Sequence, residues 1–206
     1  HHHAEPLGAE MFVQAYPELE PKFSLYPEKF RALWQQAIDR QKNTPTVWNI
    51  GFRGQGDKPF WEDDPQYDPP EKRGALISSL IREQYDLVKH SDPHAVCCTN
   101  LYGETMELYQ QGCLDLPDEV IKIWADNGFG KMVSRRQGNS NPRVKALPPQ
   151  GDTGAHGLYY HASFYDLQAA SHITMLPNST EFVCEELTNA LRHGVDDYWL
   201  INCSNV

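Results

Sequence analysis

The chain has 206 residues, 40% of them hydrophobic and 22% charged, the composition of a folded domain with a sizeable core. It contains no run of about 18 apolar residues, the length a membrane-crossing helix needs. The formal net charge of −10 argues against nucleic acid as a partner, because phosphate binding draws on clustered Lys and Arg. A small anionic ligand remains compatible with two local cation groups, Arg53 with Lys58, and Lys131 with Arg135 and Arg136.

Phe30, Leu33, Trp34, Ala37 and Ile38 recur at helical spacing and predict a helix over 27–41. A short strand follows at 46–50. A second helix is expected over 71–89, with Leu76, Leu80, Ile81, Tyr85 and Val88 on one face. A strand at 95–99 leads into Asn100-Leu101-Tyr102-Gly103-Glu104, and a short helix covers 104–111. The strand 120–124 ends in Ala125-Asp126-Asn127-Gly128. Residues 129–156, rich in Gly, Pro, Asn and Arg, read as one long loop. Strands at 157–161 and 174–176, a helix at 180–193 and a strand at 198–203 complete the series.

Strand and helix alternate with no run of hairpins, which predicts a parallel sheet with crossover helices. A closed eight-unit barrel takes about 250 residues, and five or six units are visible here. The expected fold is therefore α/β: a single (β/α)8 TIM-barrel-type domain over 1–206, incomplete at both ends. His1-His2-His3-Ala4-Glu5-Pro6 reads as the mouth of a strand whose body lies upstream, and the last residues stop as a strand ends. The triple His could equally be a tag remnant.

Five cysteines, an odd number without CxxC spacing, point to free thiols, with Cys97-Cys98 inside an apolar run. Free thiols slightly favour a reducing, cytoplasmic setting. The triplets Asn178-Ser179-Thr180 and Asn202-Cys203-Ser204 keep secretion open.

Polar side chains gather at the strand ends. The first clear strand runs into GFRGQGDKPFWEDD, residues 51–64, with Arg53 and Asp57. The second gives Asn100 and Glu104, the third Asp126 and Asn127, and the fourth holds Tyr159, Tyr160 and His161. In a parallel barrel the C-terminal strand ends share the face that carries the active site. Two carboxylates from different strands, with Arg, Asn, Tyr and His beside them, are the parts of a glycosidase site. Each residue also has a plain structural role open to it. Asp57 can cap a glycine turn, Glu104 can serve as a first-turn helix acid, and Asn127-Gly128 is a turn signal. One of Tyr159 and Tyr160 belongs to the core by strand alternation, and Trp61 and Trp124 are more typical of core than of sugar platforms.

The ordered segments HHHAEPLG, WNIGFRGQGDKPFWEDDP, CTNLYGE, VIKIWADNGFGKMVSRR and GLYYHASFYD resemble family 115 glycoside hydrolases, the xylan α-glucuronidases. The resemblance implies an inverting hydrolase that removes α-1,2-linked (4-O-methyl-)glucuronic acid from xylan, with glucuronoxylan or a glucurono-xylooligosaccharide as partner. It implies a fragment of a larger multidomain enzyme. Glu104 matches the general acid and Asp57 becomes the base in this chain, although an acidic residue upstream of the histidines is a rival. Arg53, Asn127, Tyr160 in preference to Tyr159, and one of His2 and His3 match further site positions. Asn100 and Asp126 join them as substrate-binding candidates. No cofactor or metal is expected, nor nucleic acid or membrane; a homodimer would use regions outside these residues. The rivals are a metal-dependent hydrolase using His1–His3, Asp57 and His161, and a non-catalytic carbohydrate-binding or inactive fragment. A nucleotide site is disfavoured, since Gly54-Gln55-Gly56 lacks a third glycine.

Overall fold

The computed structural model describes residues 9–54, 58–136, 139–163 and 178–203. The described chain is α/β. Its elements in order are α1 (Ala9–Ala15), α2 (Pro27–Gln41), β1 (Val47–Asn49), α3 (Pro70–Ser91), β2 (Val96–Leu101), α4 (Glu104–Gln110), β3 (Ile121–Ala125), β4 (Val133–Arg136), β5 (Asn139–Lys145), β6 (His156–Ser163), α5 (Thr180–Arg192) and β7 (Tyr198–Cys203). Two short 3-10 turns, Phe60–Glu62 and Pro65–Tyr67, lie between β1 and α3. Five strands form one sheet in the order β1-β2-β3-β6-β7. Within it β1 runs parallel to β2, β3 to β6 and β6 to β7.

The chain clusters into two compact units. One runs to Thr99 and adds Gln111–Val120; the other holds Asn100–Gln110 and the chain from Ile121 onward. The first unit has an aromatic core. Phe12 stacks on Phe30 at 4.3 Å, and Phe52 meets Phe30 and Phe60 edge-on or tilted at 5.5 and 5.4 Å. Such ring pairs contribute beyond the area they bury. The helix α1 was not expected from the sequence: seven residues are too few to show a period, and Phe12, fully buried, is what holds it. In α3 the buried stripe is Gly74, Ile77, Leu80, Ile81, Gln84 and Val88, turned slightly from the expected face. Leu76 and Tyr85 are only half-buried, and the Tyr85 hydroxyl donates to Glu119 at 2.7 Å.

In the second unit Ile123, Trp124, Leu158 and Tyr160 are buried strand residues. Lys122 near the start of β3 is buried too, with its ammonium on Asp152 at 2.9 Å and on the Tyr109 hydroxyl at 3.1 Å. The expected long loop at 129–156 is corrected: it contains the antiparallel hairpin β4–β5. Those strands are polar, carry Pro142 and shift register between Val133 and Ser134, so no period-2 apolar alternation announced them. The candidate strand at 174–176 lies outside the described residues. Cys97 and Cys98 are buried as expected, and burial pushes the Cys97 thiol up to about 11. Cys184 and Cys203 are exposed instead.

Candidate active site

In the second unit the polar residues beyond the strands converge. The backbone N–H of Asp126 donates to the Tyr159 carbonyl at 3.2 Å, so the chain leaving β3 stays beside β6. The Asp126 side chain is wholly buried. One of its oxygens bonds Nδ1 of His161, and the other accepts the Gly130 N–H at 2.7 Å. A carboxylate acts as acceptor, so Nδ1 of His161 carries the hydrogen and the ring is held in one tautomer and orientation. Tyr159 lies edge-on to His161 with ring centroids 4.6 Å apart, because residues i and i+2 share a strand face. The register sets His161 opposite Asn202, and Asn202 Nδ2 donates to the Tyr159 hydroxyl at 3.0 Å. Burial pushes the Tyr159 phenol up to about 12. Asp126, Tyr159, His161 and Asn202 thus form one connected group at the C-terminal side of three neighbouring strands. Ligands of parallel α/β sheets bind outside those strand ends.

The loop after β3 is built to hold this group. Asn127 Oδ1 accepts the N–H groups of Phe129 at 2.9 Å and Lys131 at 3.2 Å, an Asx-type turn. Gly130 has a φ of 79°, and a Cβ there would lie 2.9 Å from the Tyr160 hydroxyl and 3.3 Å from the His161 carbonyl. Glu186 of α5 clamps the far side, accepting from Lys131 Nζ at 2.7 Å and from the Met132 N–H at 2.8 Å. Arg135 donates to the Asn127 carbonyl at 3.2 Å. Two of the three expected cations at 131–136 are therefore structural parts of this loop.

Tyr160 lies near the Asp126–His161 group but shares no hydrogen bond with it among the described residues. It sits between Tyr159 and His161 on the strand, so its side chain takes the opposite face, fully buried beside Gly130. Its hydroxyl has no hydrogen-bond partner among the described residues. Burial first, then the charges of Asp126 and Glu186, raise its pKa.

Asn100 lies near the end of β2 and is buried. Its carbonyl accepts from the Thr105 hydroxyl at 3.1 Å, and that hydroxyl also accepts the Tyr102 N–H at 3.0 Å. Gly103 takes a φ of 51°, and a Cβ there would meet the Arg135 carbonyl at 2.8 Å. Glycine is what lets the chain turn under Arg135 and start α4 at Glu104, which is half-buried.

In the first unit Arg53 is buried in the segment after β1. The Gln84 side chain fixes that segment by accepting the Gly51 N–H at 2.8 Å and donating to the Gly51 carbonyl at 3.0 Å. Phe52 anchors it in the aromatic core. Trp61 carries the Arg73 guanidinium over its ring at 4.2 Å, and buried Asp64 accepts from Ser24 at 2.5 Å. Both therefore have structural partners, and Trp124 is fully buried core. Asp57, His2 and His3 lie outside the described residues, as do His1 and most of the metal-ligand rival. Sequence reasoning missed Glu186, whose signal was a Glu on the same helix face as Phe182 and Ala190. It also read Asn202 only as part of a glycosylation triplet.

The model of glycosyl hydrolase family 115 matches residues 1–206. The chain belongs to this family. Among solved structures it is similar to a family 115 4-O-methyl-α-glucuronidase with specificity for decorated arabinogalactans. The TM-score is 0.62 at 19% identity, covering 87% of this chain and 23% of that one. The family 115 chain thus spans about a quarter of that relative's length, and the likeness bears on the fold. No curated protein matches.

Proposed function

We propose that this chain is part of an α-glucuronidase that removes α-1,2-linked (4-O-methyl-)glucuronic acid from glucuronoxylan with inversion, and that its sheet is part of a (β/α)8 barrel. The reading extends to a single barrel domain within a larger multidomain enzyme. The observation that carries it is the family match over residues 1–206, joined to the buried Asp126–His161 pair at the strand ends. Glu104 protonates the glycosidic oxygen, and Asp57 draws a proton from the attacking water, with an upstream acid as its rival. The two carboxyls of an inverting pair stand about 6.5–9.5 Å apart to admit that water. Arg53 pairs with the uronate carboxylate in the bidentate geometry its guanidinium favours. Asn100, Asn127, Asp126 and one of His2 and His3 shape the sugar subsite. The tyrosine that faces His161 and Asn202 is Tyr159, so it is the better candidate for a substrate contact, and Tyr160 supports the loop behind it.

The test is Glu104→Ala in the full chain with its neighbouring regions. Release of glucuronic acid from glucuronoxylan falls to background if Glu104 is the acid; retained release overturns that role. A second polymer is favoured by the structural relative, which acts on decorated arabinogalactans. Assaying arabinogalactan beside glucuronoxylan decides between them, since only the true substrate loses its glucuronic acid at a useful rate.

A further inference from the structure

A concave site lies in the same unit, lined by the ends of α4, β5 and α5 and by residues 147–152. This cleft of about 900 Å³ includes Leu147, Pro148 and Pro149 in its lining. The lining also carries Arg143, Lys145, Arg192 and His193. It borders Asp152, the partner of Lys122, and Asp126 follows Lys122 by four strand positions, about 13 Å. The volume is in the range of ligand clefts.

The charges of the cleft run against those of the chain, whose net charge is −10. Arg143 and Lys145 lie two residues apart in the irregular part of β5, and both line the cleft. Arg192 and His193 close α5, where cations complement the helix dipole. That accounts for the helix end and leaves Arg143 and Lys145 unexplained. Arg143, Lys145 and Arg192 are exposed and make no ion pair among the described residues. The one carboxylate in the lining, Asp152, is already committed to Lys122 and to the Tyr109 hydroxyl. The lining is also anchored, with Gln110 Nε2 donating to the Lys145 carbonyl at 2.9 Å. Three exposed cations and an apolar Leu-Pro-Pro run lining one cleft suit a chain that carries spaced carboxylates on flat, partly apolar sugar rings.

We propose that this cleft is a second, non-catalytic site that binds the carboxylates of an acidic saccharide chain. The choice of a saccharide rests on the reading of the substrate as a uronic-acid-bearing polymer. A linear trigalacturonate probe, which has no glucuronosyl branch to hydrolyse, is titrated calorimetrically into the full chain at low and at 0.5 M salt. Xylohexaose and inorganic phosphate are the comparison ligands. The expected result is binding of trigalacturonate alone, weakened at least tenfold by the triple change Arg143→Ala, Lys145→Ala and Arg192→Ala. High salt weakens it similarly, and the swapped cations Arg143→Lys, Lys145→Arg and Arg192→Lys restore it. If the triple variant does not fold, the single change Arg143→Glu carries the test with an expected loss of severalfold. Unchanged binding in the folded variants, equal binding of xylohexaose, or equal competition by phosphate overturns the proposal. Glucuronic acid release from a short oligosaccharide is followed in parallel. Its absence in the parent enzyme would sink the glucuronidase reading while leaving the trigalacturonate result to judge the cleft.

Discussion

Asp126 and Tyr160 are both buried polar residues near the same loop, yet their surroundings predict opposite outcomes. Asp126→Asn leaves one acceptor oxygen for two donors, so either the His161 Nδ1–H or the Gly130 N–H meets an amide NH2 instead. Misplacing a site group by about 1 Å costs on the order of 10²-fold in rate. The expected result is a drop of that size in glucuronic acid release at saturating substrate. Tyr160→Phe removes a hydroxyl with no hydrogen-bond partner among the described residues, so stability changes by less than about 1 kcal/mol and release is kept. Thermal melting and the same assay check it; a large loss of release would return Tyr160 to the substrate contacts. His156 gives a pH prediction. Its Nδ1 accepts from Trp124 Nε1 at 3.2 Å, so its hydrogen is on Nε2, which has no partner among the described residues. Burial, then the charge of Lys122, lowers its pKa. The unfolded chain therefore takes up this proton first. The stability tied to neutral His156 is present above the unfolded value of about 6.5 and is lost as pH falls through the lower folded value. Melting temperature measured from pH 7.5 to 5 falls, and falls less in His156→Gln, whose amide keeps an acceptor for Trp124 and does not titrate.

At the scale of elements, the local signals were read well where a period ran long enough. The helix over 27–41 and the strand over 198–203 have the predicted bounds, and α3 and α5 differ by a residue or two. The hairpin β4–β5 was not legible, because its polar residues pair through the backbone and carry no alternating apolar face. Gly74 is another feature that no local pattern shows. It lies in α3, and a Cβ there would meet the Cys113 carbonyl oxygen at 1.9 Å, deep inside any real contact distance. Helix propensity alone would make Gly74→Ala stabilising. The clash reverses the sign, because α3 or the 111–120 segment must move. The expected cost is roughly 1–3 kcal/mol, seen as a lower denaturant midpoint at unchanged slope. A stabilised variant would show that the segment yields without cost.

At the scale of the whole molecule, the reaction has a stereochemical signature. If water attacks from the face opposite the leaving oxygen, an α-linked glucuronic acid is released first as the β anomer. Proton NMR of the fresh product reads this within minutes of mixing, before mutarotation; an initial α anomer would replace inversion with retention through a covalent intermediate.

The sequence by itself determined the alternation of strands and helices and the placing of Asn100, Glu104 and Asp126 just past predicted strands, with His161 as the last residue of another. Those depend on the 2.0 and 3.6 residue periods and on turn residues, which act over a few neighbours. Only the tertiary structure decided which face of β6 meets Asp126 and which meets the loop after β3. Strand alternation separates Tyr159 from Tyr160, but the loop held by Gly130 and Glu186 determines which face is filled. It also recruited Asn202, set opposite His161 by the β6–β7 register. Such pairings join residues about forty positions apart, and no local period encodes them.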